Sequence, residues 1–465
     1  MIFAIPIEIK VREFLNKIYL ASQVLKNTDF NILIGKKIKI YDFFKKNKNV
    51  VLLSKGGVRK NFKFSDAHLK NNKIVILDEE GPILNIGHYD LKLRTSNFLL
   101  SRCENFILWG QEDLKANKNF KVNKKKFPIL GHPKFDLLKK PQSNIFNNQC
   151  NLIKRRFDKF ILISSNFNGG DSAIDTNLYY KYYQNTLPKH QREKNLKFTD
   201  KVLRADKINY ENMISLVISL AKKYPKINFV FRPHPRQNVS LVKKRFPKKI
   251  KNIKVEYKYT ITPWIMCCDY FLHSGCSTVF EASILKKKII YLLQENIPSR
   301  PKIFSNLGYF SKNVNGADNI ISNFLNKKKR YNLNRSKLNT RVIENSYDKN
   351  FSKLFCKILN KIKFKNKIDF NYENIRSGKD NFKSSKTKQR IKEFILKYNL
   401  GVKILNTIDP NLLLTKSYKD KKFKKISAQE VKSLIERFSI FEKNNINYVI
   451  KKVEKDLYFI KNNKN

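Results

Sequence analysis

Several short segments carry side chains that can hold a phosphate or move a proton, and each directly follows a stretch that reads as a buried strand. Arg232-Pro233-His234-Pro235 follows Asn228 to Phe231. The prolines stiffen the turn and exclude helix there. An arginine and an imidazole are then expected at the strand end, where both can donate hydrogen bonds to a phosphate. The competing reading is a rigid turn with an incidental histidine. His273-Ser274-Gly275-Cys276-Ser277-Thr278 lies between a strand at Tyr270 and a helix ending near Leu285. Gly275 permits a tight turn. Ser277 or Thr278 can cap the helix, whose N-terminus is itself an anion site. Glu281 sits one turn further on, placed either to accept from sugar or ribose hydroxyls or to complete a capping box.

Asp78-Glu79-Glu80-Gly81 follows a strand at Lys73 to Leu77. Crowded carboxylates raise one another's pKa, which suits a general base; the alternative is an acidic turn paired with lysines. Gly131-His132-Pro133-Lys134-Phe135-Asp136 falls close to the expected domain junction and reads as a structured hinge ahead of a catalytic segment. Ser164-Ser165-Asn166 ends the first strand of the second half, where its polar groups either line a cleft or satisfy the backbone. Lys55-Gly56-Gly57 also follows a strand but lacks the full glycine-rich fingerprint of a dinucleotide site.

Positioning these segments requires parallel α/β layers. Short β-branched runs alternate with helical stretches, the pattern of such layers. Strands are expected at Ile2 to Ile7, Asn31 to Ile34, Val50 to Leu53, Lys73 to Leu77, Phe106 to Trp109 and Phe127 to Leu130 in the first half. In the second they are expected at Phe160 to Ile163, Asn228 to Phe231, Lys254 to Tyr257, Tyr270 to His273 and Lys288 to Leu292. A long polar segment, Asn166 to Arg204, reads as a functional loop. The pattern gives a Rossmann-like domain over residues 1–155, a second over 156–363, and a Lys-rich linker with a helical extension over 364–465. In that extension Arg390 to Tyr398 and Ala428 to Phe441 are the expected helices.

A chain of 465 residues with 41% hydrophobic content can bury two cores. The net charge of +58, from 96 Lys and Arg against 38 Asp and Glu, favours polyanionic partners: nucleic acid, acidic headgroups or phosphorylated substrates. The six cysteines form no CxxC pair and fit reduced thiols. No apolar run is long enough to cross a bilayer, and Met1 to Glu8 reads as a first strand, not a signal peptide.

In their order, the segments IPIEIKVREF, VILDEEGP, LWGQED, ILGHPKFDLL, ILISSNF, FVFRPHP and HSGCSTVFEASILKKKIIYL resemble a family of bacterial surface carbohydrate biosynthesis proteins, over Ile5 to Leu292. The second half is also similar to bacterial sialyltransferases and capsule Kdo transferases of the two-domain GT-B fold. These use an HP motif and a Ser/Thr motif to hold a CMP-sugar. The sialyltransferases add an acidic-acidic-Gly motif whose first acid is the base. The resemblance points to Glu79 as base, with Glu80 beside it. His234 would stabilise the leaving phosphate, next to Ser277 and Thr278. GHPKFDLL and RPHP are similar to segments of CDP-glycerol glycerophosphotransferases too, but the Trp-His-Gly segment of those enzymes is missing.

The expectation is therefore an inverting, metal-independent glycosyltransferase without a cofactor, drawing on a nucleotide sugar and a glycan or lipid-linked acceptor. It would work in the cytoplasm at the inner face of an anionic membrane. Rival readings are a polyol-phosphate transferase, a sugar-nucleotide epimerase and a nucleic-acid-binding protein. For the last, the sequence offers charge but no helix-turn-helix, zinc-finger or aromatic RNA-binding signature.

Overall fold

The computed structural model describes residues 1–56, 65–79, 81, 97–116, 123–167, 170–172, 189–296, 302–326, 336–364, 423 and 425–463. Glu80, Gly57 and the expected helix at Arg390 to Tyr398 lie outside the described residues.

Two sheets organise the chain. Strands Ile2–Ile7 (β1), Asn31–Lys36 (β2), Val50–Ser54 (β3), Lys73–Leu77 (β4) and Asn105–Ile107 (β5) pair in parallel in the order β2-β1-β3-β4-β5. Strands Phe160–Ser164 (β6), Asn228–Arg232 (β7), Ile253–Val255 (β8), Tyr270–His273 (β9), Lys288–Leu292 (β10) and Tyr309–Ser311 (β11) form the second sheet, all parallel, in the order β11-β10-β9-β6-β7-β8. The strands are apolar throughout because helices cover both faces. In β1, Phe3, Ile5 and Ile7 pack under the helix Lys10–Asn27. Ile2 and Ala4 enter the opposite core, with Ile40 and Phe44 of the helix Lys37–Lys46. In β6, Phe160 and Leu162 enter one core and Ile161 and Ile163 the other.

Strand order locates the crevices. From β6 the chain adds β7 and β8 on one side and then returns to lay β9 on the other, so a topological switch point falls between β6 and β9. The first sheet has its own switch at β1, between β2 and β3. Ligands of open α/β sheets bind beyond the carboxyl ends of strands at such points.

Several expectations are revised. Phe127 to Leu130 forms only an isolated bridge, Leu108 with Ile129. The expected loop Asn166 to Arg204 ends in helix: Lys189–Lys223 is one continuous helix, so the last part of that loop, from Lys189, is helical. The helix Phe351–Leu359, within the span assigned to the second domain, packs on the helix Lys10–Asn27 of the first, and Phe351, Phe355 and Leu359 belong to the first core. The tail is more than a helical extension. After the helix Ala428–Phe441 come Tyr448–Glu454 (β12) and Leu457–Asn462 (β13), and β13 pairs antiparallel with β2. Alternate residues of β13 complete both cores: Leu457 and Phe459 on one face, Tyr458 and Ile460 on the other.

Candidate functional site

At the second sheet's switch point the ends of β6, β7 and β9 are stitched together by side chains. Ser164 Oγ lies 3.3 Å from Thr278 Oγ1 and accepts from the Cys276 thiol at 3.4 Å. Asn166 donates to the Gly275 carbonyl at 2.9 Å. Ser165 donates through its hydroxyl to Gln237 Oε1 at 2.6 Å, and the His234 amide donates to the same oxygen at 2.8 Å. Gln237 Nε2 reaches the Gly170 carbonyl at 3.0 Å. Gln237 thus fastens the His234 turn to the segment after β6. Sequence reasoning passed over it; its position two residues beyond the HP dipeptide was the available signal.

Three histidines share one local geometry. The Arg236 amide donates to His234 Nδ1 at 3.3 Å, the Gly275 amide to His273 Nδ1 at 3.1 Å, and the Lys134 amide to His132 Nδ1 at 3.2 Å. An accepting Nδ1 fixes the neutral ring with its proton on Nε2. Of the three, His234 is partly exposed, whereas His273 and His132 are buried. Pro235 is exposed at the tip of the turn, Ser274 is buried within the β9 turn, and Ser277 is half-buried beside Thr278.

Two expectations at this edge change. Arg232 is not presented to a phosphate. Its guanidinium is buried, donates to the Lys258 and Tyr259 carbonyls at 2.7 and 3.0 Å, and stacks over Trp264. Burial pulls its pKa down to about 10, so it stays charged at neutral pH and serves to hold the loop after β8. Thr278 occupies the N-cap of the helix Val279–Ile284 but makes no capping hydrogen bond, its hydroxyl facing Cys276 and Ser164 instead. That helix has only six residues, too short for much macrodipole at its N-terminus. The capping box for Glu281 is absent too. Glu281 accepts from the Thr262 hydroxyl at 2.9 Å and faces Lys134 Nζ at 3.6 Å.

The carboxylate after β4 sits in a different setting from the one its sequence suggested. Glu79 is flanked by one cation and one neutral imidazole: Lys17 Nζ is 2.9 Å from Oε1 and His132 Nε2 is 3.3 Å from Oε2. These partners outweigh burial and hold its carboxyl well below the usual range, the opposite of the upward shift expected from neighbouring acids. Lys17 also reaches Glu13 at 3.1 Å and the Pro6 carbonyl at 2.8 Å, and its pKa is raised although burial alone would lower it. From Glu13 the network continues outward to Lys55, and Lys55 and Lys37 both pair with Glu8, at 2.6 and 3.0 Å. It runs from a dry end, with the Glu79 side chain 3% exposed, to a wet end at the first sheet's switch point, with Glu8 25% exposed. Glu79 is therefore a buried strut, not a carboxylate open to an acceptor.

The Gly131–Asp136 segment lies at the junction. Trp109 packs over His132 with ring centroids 4.5 Å apart and donates from Nε1 to the Asp78 carbonyl at 2.8 Å, while Asp78 itself is buried. Gly81, at φ +71°, lies under that indole, and a Cβ there would come within 2.8 Å of it. Asn345 brackets His132, accepting from its amide and donating to its carbonyl, both at 3.1 Å. Asp136 accepts from Asn345 and from the Phe351 and Ser352 amides, so it caps the returning helix. Desolvation raises its pKa against those hydrogen bonds. Pro133, at the first position of a short 3-10 turn, is buried behind His132. Lys134 lies against the Trp109 and Phe135 rings, and burial lowers its pKa while Glu281 opposes the shift. Its contact with Glu281 joins the junction to the second sheet's site. Among the described residues no group of three or more His, Cys, Asp or Glu is arranged to hold a metal ion, and no helix is long and apolar enough to cross a membrane.

No family model matches the chain, and no curated protein matches it in sequence. Among solved structures, a variant of the wall teichoic acid polymerase TagF is similar at a TM-score of 0.50 and 11% identity, over 77% of this chain and 87% of that one. A UDP-GlcNAc 2-epimerase from Neisseria meningitidis, bound to UDP-GlcNAc, has a TM-score of 0.46 at 12% identity, over 77% of this chain and 98% of that one. Another from Methanocaldococcus jannaschii, in complex with UDP-GlcNAc and UDP, has a TM-score of 0.45 at 12% identity, over 77% and 99%. At such identities the likeness is one of fold: the chain is a GT-B-like protein, two Rossmann-like α/β domains built on parallel sheets.

Proposed function

We propose that this chain is a nucleotide-sugar-dependent transferase of bacterial surface-glycan synthesis, with the donor held at the β6–β9 switch point. One observation carries the reading. His234 is partly exposed at the end of β7; Gln237 holds its main-chain amide, and the Arg236 amide, donating to Nδ1, sets the tautomer that presents an Nε2 proton. The hydroxyls of Ser164 and Thr278 converge at the neighbouring strand ends. A neutral imidazole donor and hydroxyls suit a phosphate that gains negative charge as the sugar departs. The transfer is proposed to be inverting and metal-independent, with a CMP-linked donor, as the motif resemblance implies.

The first domain would supply the acceptor. Glu79 is too buried to remove its proton, so we assign that role to Glu8, the partly exposed carboxylate at the first sheet's switch point, paired with Lys37 and Lys55. Arg12 adds charge beside Lys134 at the same border. The net charge of +58 supports contact with an anionic membrane carrying a lipid-linked acceptor. The teichoic acid polymerase TagF and the UDP-GlcNAc 2-epimerase, similar in fold, set the competing reactions to exclude.

Thermal-shift titration with CMP, CDP, UDP, GDP and CDP-glycerol tests the donor class. A response to cytidine nucleotides is expected, lost in His234→Ala while the ligand-free melting temperature is kept. An unchanged response in that variant would remove His234 from the phosphate site. Nucleotide release that requires acceptor distinguishes transfer from epimerisation. Glu8→Gln should lower turnover at least tenfold with donor binding retained.

A further inference from the structure

Positive charge is spread unevenly over the second domain. Residues 212–255 hold twelve Lys and Arg and no Asp or Glu. Arg232 and Arg236 belong to the turn at the proposed donor crevice. Arg245 is committed to Glu211, and Lys223 pairs with Asp318 at 2.8 Å. The remainder are all lysines. Lys243, Lys244, Lys248, Lys249, Lys251 and Lys254 are exposed, as are Lys222 and Lys226. None of these has an ion pair among the described residues, whereas Lys10, Lys37, Lys39 and Lys73 of the first domain each reach a carboxylate.

The fold gathers them. The helix Val239–Lys244 ends on Lys243 and Lys244, while Val242 and Phe246 are buried in the core beneath. Asn252 anchors the turn that follows. Its Nδ2 reaches the Ala221, Tyr224 and Ile227 carbonyls at 3.0, 3.1 and 2.9 Å, and its carbonyl accepts from the Phe229 amide at 2.8 Å. This clasp brings the turn carrying Lys248, Lys249 and Lys251 against the segment carrying Lys222 and Lys226, between the helix Lys189–Lys223 and β7. The cluster therefore lies at the amino ends of β7 and β8, the opposite end of the sheet from the donor crevice.

Like charges held together without counter-charges repel, and an anion outside the chain relieves that repulsion. Lys254, on the edge strand β8, guards against pairing between sheets, but lysines on turns have no such role. Their type narrows the partner. Guanidiniums fork onto a phosphate of fixed position, and the arginines of this stretch are engaged elsewhere. Lysines are point charges on flexible stems, suited to phosphates that move laterally. Clusters of roughly four to eight basic residues match anionic headgroups. We propose that this end of the second domain docks on an anionic lipid bilayer through its headgroup phosphates. The inference rests on the membrane contact proposed above and names the surface that makes it. The donor crevice, at the other end of the sheet, stays open in the docked protein.

The test sediments the full chain with vesicles of phosphatidylcholine alone and with vesicles of phosphatidylcholine and phosphatidylglycerol in equal parts. Binding is expected to the anionic vesicles only, weakening as salt rises. Lys243→Glu, Lys244→Glu, Lys248→Glu and Lys249→Glu combined should lower the partition coefficient at least about tenfold, and the same four changed to Gln should lower it in the same direction. The control is Lys353→Glu, Lys357→Glu, Lys361→Glu and Lys363→Glu combined, an equal charge change at exposed positions on and just after the helix Phe351–Leu359. It should lose less than about threefold. Every variant should keep the parent's melting temperature and its response to cytidine nucleotides, so that failure of the docking surface and failure of the donor site are read separately. Equal losses in patch and control variants, binding to phosphatidylcholine alone, or no binding to anionic vesicles would each overturn the proposal. So would nucleic-acid binding that the patch variant loses while its vesicle binding persists.

Discussion

At the residue scale the informative group is Glu79, whose environment reverses its expected chemistry. An ionised carboxylate inside the fold persists only because Lys17 and His132 meet it, and Lys17 in turn serves Glu13. Removing the shared cation strands two buried acids. Lys17→Met is expected to cost about 3–5 kcal/mol, measured by urea unfolding; a loss within error of zero would show that water or Lys55 compensates. The same cluster sets a pH dependence. Burial lowers the His132 pKa below its ordinary value of about 6.5, and the Lys17 and His132 contacts lower that of Glu79. In both cases the unfolded chain binds more protons than the folded one, so stability rises with pH. It is fully present above about pH 6.5. It then falls on acidification, first through His132 and, at lower pH, through Glu79. Unfolding free energies at pH 7.5, 6.0 and 5.0 should show the upper stage, and His132→Asn should flatten it; an unaltered slope in that variant assigns the stage to another histidine.

At the scale of elements, the strand-end turns matter more than the strands. The turn at Gly131 has φ +90°, and a Cβ there would fall 1.8 Å from Asn345 Oδ1, the atom that receives the His132 amide. Gly131→Ala therefore both strains the backbone and displaces the bracket around His132. A loss of about 1–3 kcal/mol is expected for the backbone alone, and more with the lost hydrogen bonds. Thermal melts of Gly131→Ala against Asn345→Ala test it: the double variant should fall short of additivity because both changes break one bracket. Full additivity would separate the two residues. The helix Phe351–Leu359 gives the converse case, an element held by a cap from elsewhere. Its first amides are satisfied by Asp136, more than two hundred residues earlier in the chain, so its docking depends on the same junction.

At the scale of the whole molecule the chain closes on itself. Residues 425–463 cover the edge of β2, fill both cores of the first domain and engage the helix Lys10–Asn27. Glu442 accepts from Tyr19, Gln23 and Gln142, and Glu430 pairs with Lys10. Deleting them leaves Ile32 to Gly35 as an open, apolar edge, which invites pairing between chains. The truncated protein is expected to lose most of its soluble yield and to elute as aggregate in size exclusion; a soluble monomer with the parent's melting temperature would falsify that view of the tail.

The amino-acid sequence alone determined the parallel α/β class and most strands, because a strand buried on both faces must be apolar along its length. Ile2–Ile7, Lys73–Leu77, Tyr270–His273 and Lys288–Leu292 coincide with their expected bounds. It also marked the segments that the fold brings to strand ends. The tertiary structure decided what those side chains do, since a side chain's role follows from partners distant in sequence. Lys17 and His132 turn Glu79 from an expected base into a strut, and two carbonyls after β8 turn Arg232 from an expected phosphate ligand into a loop clasp. Gln237, unremarkable in sequence, fixes His234 only because Ser165 and Gly170 lie across the crevice. The alternating pattern of β13 was present in the sequence, but its pairing with β2, more than four hundred residues away, is a long-range register that no local period encodes.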